Sequence, residues 1–153
     1  MLLDGVNHVA LITNDTGRLH RFYGDVFGAT VSADMAAGEG VRLSFVKIGP
    51  HTELNVFEVA DNAEAQRQTP MFGRGRIDHL GLHASSIEAF DTIRDRLIER
   101  GATDGFVTDF GPILSLFFRD PDGLEAEVCV TNPNAQPGVH HPPGTPAPGY
   151  SVV

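Results

Sequence analysis

Two hydrophobic periods alternate along this chain, in the same order twice. Asn7-His8-Val9-Ala10-Leu11-Ile12 is a short apolar run opened by a polar residue and a histidine, and Asp78-His79-Leu80-Gly81-Leu82-His83 repeats that design. Both read as strands. Behind the first, Leu19, Phe22, Tyr23, Val26 and Phe27 stand at i, i+3, i+4, i+7 and i+8, which predicts one apolar helix face over residues 16–28. Behind the second, Phe90, Ile93, Leu97 and Ile98 predict a helix over residues 86–101. Each helix stops at a Gly-Ala pair, Gly28-Ala29 and Gly101-Ala102, where glycine can take the left-handed position just past the helix end.

After each helix the period falls to two. Weaker strand candidates, 30–35 and 103–107, follow directly. Stronger ones come next: Val41 to Val46 and Glu53 to Phe57 in the first half, Ile113 to Phe118 and Leu124 to Thr131 in the second. The unit is strand, helix, strand, strand, strand, and it occurs twice, as duplication of one supersecondary module produces. The expected fold is therefore α+β, two βαβββ modules with mixed sheets. Residues 1–60 form the first module, the polar and turn-rich 61–76 a connector, and 77–131 the second module. Residues 132–153 are rich in proline and glycine without periodicity and read as an extended or mobile tail, in which His140 and His141 are solvated.

Composition narrows the partners. With 153 residues the chain can bury a real core, and no apolar run approaches the roughly 20 residues of a membrane helix. A formal charge of −9 argues against a nucleic-acid surface, which needs a basic stripe, so a small-molecule ligand is the default. The first residues, MLLDGVNH, lack a basic segment followed by a long apolar one, so a cytoplasmic protein is expected. The single cysteine, Cys129, excludes an internal disulfide framework and argues against a thiolate zinc site.

The chemistry concentrates at the strand ends. Asp120-Pro121-Asp122-Gly123 is a tight turn feeding the last strand, which carries Glu125 and Glu127 on one side by alternation. His8 and His79 open the first strand of each module, and Glu53 and Glu127 lie on the last. Taken as matching places in the repeat, these imidazoles and carboxylates suit a divalent first-row metal such as Ni, Zn, Fe or Mn, with positions left for water or substrate. Each also has a plain reading as a hydrogen-bonded or solvent-facing side chain, and spacing alone does not separate the two. His51 competes with Glu53 as a ligand, being two residues away on the same predicted face. Arg74 and Arg76 read either as solvated loop residues or as contacts for an anionic group. Phe45, Phe57, Phe110 and Phe117 read as core or as pocket wall.

The segments NHVALIT, RFYGDVFGA, RIDHLGLHA and RDPDGLEAEV together resemble the vicinal oxygen chelate superfamily, which includes glyoxalase I, methylmalonyl-CoA epimerase, extradiol dioxygenases, fosfomycin-resistance thiol transferases and bleomycin-binding proteins. The resemblance covers about residues 5 to 131. It implies paired βαβββ modules curling into a cup around a divalent metal, with His8, Glu53, His79 and Glu127 as ligands, a pattern similar to bacterial glyoxalase I. The family's ligand glutamate is the fourth residue after the turn glycine, which selects Glu127 over Glu125. A homodimer is also implied, with the metal held within one chain or across two.

A metal with two open positions can chelate adjacent substrate oxygens and stabilise an enediolate, while Glu127 or Glu53 acts as base. The expected function is a divalent-metal-dependent lyase or isomerase of glyoxalase or epimerase type. The alternatives are an extradiol ring-cleaving dioxygenase using His8, His79 and Glu127, with His83 as acid or base, and a non-catalytic protein that sequesters a small molecule such as an antibiotic.

Overall fold

A computed structural model of the chain describes residue 2 and residues 5–152. It divides into two compact units, Met1–Gln68 and Thr69–Val153, so the division falls inside the connector. The first unit contains β1 (His8–Thr13), α1 (Thr16–Phe27), β2 (Thr30–Gly38), β3 (Val41–Lys47) and β4 (Glu53–Val59), then a single 3₁₀ turn, Ala63–Gln66. The second contains β5 (Leu80–His83), α2 (Ile87–Glu99), β6 (Val107–Asp109), β7 (Ile113–Arg119) and β8 (Glu125–Thr131). Each unit is a βαβββ module, and the fold is α+β.

Each module forms one four-stranded mixed sheet, in the orders β1-β4-β3-β2 and β5-β8-β7-β6. The first strand pairs parallel with the last and the remaining pairs are antiparallel. A parallel pair needs a crossover connection, and the helix after the first strand begins it. The helix covers one sheet face. Leu54, Val56 and Val46 are buried on that side in the first module together with Leu19, Tyr23 and Val26 of α1. Ala126, Val128 and Phe118 take the same places in the second, with Phe90 and Leu97 of α2.

Both helices start and end as the residue types require. Asp15 accepts the Arg18 N–H at 2.8 Å and Ser86 accepts that of Ala89 at 3.2 Å, each satisfying a donor that the first turn leaves free. Gly28 and Gly101 have φ of 68° and 62°, the left-handed conformation expected past each helix end. Among the described residues no helix is long and apolar enough to cross a membrane.

Two expectations are corrected. The strand expected over 103–107 is instead β6, Val107–Asp109. Thr103 Oγ1 donates to the Phe117 carbonyl at 2.6 Å and accepts the Gly105 N–H at 3.1 Å, holding residues 103–105 in a turn. Residues 132–152, expected to be an extended or mobile tail, are extended but fastened to the second module. Asp109 N–H donates to Thr145 O at 2.8 Å and Ala147 N–H to Val107 O at 2.9 Å, so the segment pairs with the free edge of β6. Tyr150 donates to Asp91 at 2.7 Å, meets the Phe90 ring edge-on and lies 5.5 Å from the Arg94 guanidinium. Gly111 makes the crossing possible, because a Cβ there would sit 2.3 Å from the Val139 carbonyl oxygen. Pairing to a distant strand edge leaves no period in the sequence.

The DPDG turn is built on a buried acid. Gly123 has φ 86°, and its N–H donates to Asp120 O at 3.0 Å. Asp120 Oδ1 accepts the N–H groups of Asp122 and Leu124, both at 2.9 Å. The residue is only 6% exposed. Burial pushes its carboxyl up to about 6; the Leu124 and Asp122 N–H groups oppose this, and the neighbouring Asp122 carboxylate adds to it. An acid whose folded pKa lies above its unfolded 3.8 adds stability below pH 4 that disappears as the pH rises through 6. Asp120→Asn keeps an accepting oxygen without the charge. Urea denaturation is expected to find it more stable than wild type at pH 8, by roughly 1–3 kcal/mol. The difference should close towards pH 4, and a variant less stable at pH 8 would contradict this account.

Candidate metal centre

Strand alternation sends every second side chain of each sheet away from its helix. In the second module that face carries Glu125, Glu127 and Cys129 of β8, Ser115, Phe117 and Arg119 of β7, and Gly81 and His83 of β5. His79 stands just before β5 rather than within it, two residues ahead of Gly81 and so on the same side. The face is half-buried, unlike the helix side.

His79 and Glu127 meet there. The imidazole Nε2 lies 3.3 Å from Glu127 Oε1, and Nδ1 is held at 2.7 Å by Asp78 Oδ2. Ser115 Oγ donates to the other Glu127 oxygen at 2.5 Å. The Phe117 ring packs edge-on against the imidazole, 6.2 Å between centroids. Gly81 leaves the room, since a Cβ there would be 3.3 Å from Glu127 Oε1. The Asp78 hydrogen bond, chiefly, raises the His79 pKa against the opposing effect of burial, with the Glu127 carboxylate adding to the rise; the same bond lowers that of Asp78. Cys129, two residues on, has its thiol pushed up to about 11 by burial and then by the Glu127 carboxylate, so it is an inert neighbour.

This pair fits a divalent cation. Two donors each about 2.0–2.1 Å from one ion, at angles between octahedral and tetrahedral, stand about 3.0–3.4 Å apart. The 3.3 Å separation falls within that range. A carboxylate behind the remote ring nitrogen is the usual support for a ligating histidine, and the Ser115 hydroxyl anchors the Glu127 carboxylate in a comparable way. Asp78 and Ser115 were not singled out by the sequence reading. The Asp-His dipeptide was a usable signal for the first, and nothing local marks the second.

In the first module, His8 Nδ1 is 2.9 Å from Asn7 Oδ1, so the residue before each histidine engages the same ring nitrogen. The register corrects the repeat alignment. Glu53 lies opposite His8 itself, and the residue opposite Ala10, two places on, is Asn55. In the second module Glu127 lies opposite Gly81, two places after His79. Glu53 therefore corresponds to Glu125, and the counterpart of Glu127 is Asn55. A shift of two residues preserves the face, so alternation alone could not reveal it. His51 lies in an exposed turn before β4, not on the strand as expected. Among the described residues no group of three or more His, Cys, Asp and Glu side chains is placed to hold a metal ion.

Glu125 has a different occupation from Glu127. It accepts the Met71 N–H at 2.7 Å and pairs with Arg119 at 2.8 Å and Arg74 at 3.5 Å. These contacts hold its pKa low, the Met71 N–H first and Arg119 next. Arg74 is neither solvated nor open to an anion, as had been considered, because only 11% of its side chain is exposed. It donates to the carbonyls of Asp78 at 3.1 Å, Glu125 at 2.9 Å and Thr69, tying the connector to β8. Arg76 is exposed. Phe45 and Phe117 hold equivalent places, opposite Asn55 and Glu127, while Phe57 lies opposite Ile12 and Phe110 receives the His141 N–H from the tail. His83 is exposed, opposite Cys129, and the second acid of β4, Glu58, accepts the Thr16 N–H at the start of α1.

The chain belongs to the Glyoxalase/Bleomycin resistance protein/Dioxygenase superfamily, whose family model matches residues 5–128. A 2-epi-5-epi-valiolone epimerase from Actinomyces sp. is 26% identical over 142 residues, 80% of this chain and 77% of that protein. The glyoxylase/bleomycin resistance protein/dioxygenase domain from Frankia sp. EAN1pec superposes with a TM-score of 0.70 at 22% identity, over 85% of this chain and 99% of that one. A mutant of the fosfomycin resistance protein FosX from Listeria monocytogenes, complexed with Mn(II) and 1S,2S-dihydroxypropylphosphonic acid, superposes at 0.62 with 18% identity, over 83% and 92% of the two chains.

The separate roles of the two glutamates give a contrast in stability. Glu125→Ala leaves the Arg74 guanidinium without its carboxylate and is expected to cost about 2 kcal/mol in urea denaturation. It should also speed proteolysis within residues 69–76. A stability within 0.5 kcal/mol of wild type, of the order surface substitutions show, would mean that the clamp contributes nothing.

Proposed function

We propose that this protein is a divalent-metal-dependent isomerase or lyase that moves a proton on a carbon next to a carbonyl of a small molecule. The observation that carries this reading is the braced pair, Asp78 to His79 and Ser115 to Glu127, on the half-buried face of the second module. The similarity to an epimerase and the Mn(II)-bound FosX relative support it. His79 and Glu127 would hold the cation, with its remaining positions open to water and substrate. The bound cation supplies Lewis acidity to the substrate oxygens.

The chain's own residues do the rest. Asp78 keeps the Nδ1 proton of His79 engaged, leaving Nε2 as the donor on the open face. Ser115 fixes one Glu127 oxygen, which restricts the carboxylate to a single orientation. Glu127 is the acid nearest that site, and a carboxylate facing substrate can take a proton from one carbon and return it to the neighbouring carbon on the same face. Phe117, opposite Glu127 and edge-on to the His79 ring, limits the access of water to the pair.

Protein purified without chelator is expected to retain about one equivalent of divalent metal per chain. In the presence of metal it should exchange the α-proton of a ketone such as 2-epi-5-epi-valiolone for deuterium from D2O. Glu127→Gln should lower that exchange at least ~10²-fold. Metal-free wild type, with metal retention and exchange unaffected by Glu127→Gln, would leave only sequestration of a ligand. A second reading, ring cleavage of catechols by iron held on His79 and Glu127, is favoured by one observation, that Glu53 is not the register counterpart of Glu127. Oxygen uptake with catechol and Fe(II), without proton exchange, would select it.

A further inference from the structure

The segment after β8 does more than extend the second sheet, because it closes a cavity against it. Much of the wall comes from residues 132–150, beyond the stretch that the superfamily model matches. The volume is about 400 Å³, towards the lower end of the range of small-molecule sites. Register places the cavity on the helix side of the sheet, the face turned away from His79 and Glu127. Asp109 of β6 lies opposite Leu114 of β7 and Leu114 opposite Val130 of β8, and Val130 shares with Val128 the face that α2 covers. All of the lining belongs to the second unit.

The wall is held in place by its own hydrogen bonds. Asn132, only 7% exposed, donates through Nδ2 to the Gly111 carbonyl at 2.8 Å and to Asp109 Oδ1 at 3.2 Å, and its Oδ1 accepts the Asn134 N–H at 2.9 Å. Further along, the His141 N–H donates to Phe110 O at 3.2 Å and Tyr150 is held by Asp91. Both parts of the segment that line the cavity are therefore tied down, and a ligand need not order them. The charge on the wall has one sign. Leu114, Val139 and Tyr150 supply apolar surface, and Asn134 and Gln136 neutral polar groups. Among the described residues no lysine or arginine lines the cavity, while Asp109 brings a carboxylate to it. Both side-chain bonds of Asp109, from the Gly111 N–H at 2.7 Å and from Asn132, go to Oδ1. Oδ2 accepts none among the described residues and is the oxygen left to a ligand.

We propose that this cavity binds a small organic cation, a protonated amine on a compact apolar body. The ammonium group donates to Asp109 Oδ2, and the body packs against Leu114, Val139 and Tyr150. A charge-assisted hydrogen bond gives direction, and the apolar wall gives area to bury. An anion of the same shape meets the Asp109 charge with no basic side chain to offset it, and the chain's formal charge of −9 favours the same sign of ligand. Cavity and metal pair lie on opposite faces of the sheet, so binding here needs no metal.

The test is titration of the full, isotope-labelled chain at neutral pH with benzylamine, benzyl alcohol and benzoate, which share a ring and differ in charge, followed by backbone amide chemical shifts. Benzylamine is expected to saturate with a dissociation constant on the order of 1 mM, to move the Gly111, Asn134 and Val139 amides, and to bind at least ~10-fold more tightly than benzoate. Asp109→Asn keeps an oxygen for the Gly111 N–H; it should weaken benzylamine by about tenfold or more and leave benzyl alcohol within about twofold. Val139→Trp fills the cavity without removing the carboxylate and should abolish binding of both. Circular dichroism and a thermal melt confirm the fold of each variant, and the three probes on wild type decide the sign of the charge should a variant not fold. Absence of a saturable benzylamine shift at these amides, equal affinity for benzylamine and benzoate, or wild-type benzylamine binding by either folded variant would overturn the assignment.

Discussion

The parallel pairing of the first strand of each module with its last is the constraint on which the rest of the structure depends. Sequence neighbours can pair antiparallel through a tight turn, but a parallel pair needs a long crossover, and here α1 or α2 with two further strands supplies it. That connection puts the histidine-bearing start of the module beside the acid-bearing start of its last strand. It also commits one face of the sheet to the helix. The other face is left half-buried.

The balance on that face is electrostatic. Two carboxylates two residues apart, Glu125 and Glu127, would repel and compete for the same partners if both were free. The structure separates them by partner: arginines and a backbone N–H hold Glu125, while a histidine and a serine hydroxyl hold Glu127. Arg74 has a double role, since it neutralises Glu125 and ties the connector down next to Asp78, the residue that orients His79. Order in the connector and orientation of the imidazole are thus parts of one network. Cys129 is kept protonated by burial, with the Glu127 carboxylate adding to the effect.

The two modules use this scaffold unequally. The second has its pair braced on both sides; the first has a histidine steadied by Asn7 and an asparagine where the glutamate would stand. The fastened tail adds to the difference, because it extends the second sheet beyond β6 and buries Ala147, for which the first module has no equivalent.

Much of this was legible in the residues because it is local. The 3.6 and 2.0 periods of Leu19 to Phe27 and of Ile113 to Phe118 mark helix and strand; Gly28 and Gly101 mark the helix ends; DPDG marks the turn that starts β8. Alternation likewise placed Glu125 and Glu127 on one face. What alternation cannot do is distinguish positions two apart, so the roles of Glu125 and Glu127, and the register of Glu53 and Asn55 against His8, were decided only by tertiary pairing. Arg74 lies 51 residues from Glu125 and Ser115 lies 12 from Glu127, separations at which no local pattern survives. The tail escaped for the same reason, as its bonds go to a strand edge far away in the chain. Local patterning determined which side chains share a surface, and long-range register decided which of them meet.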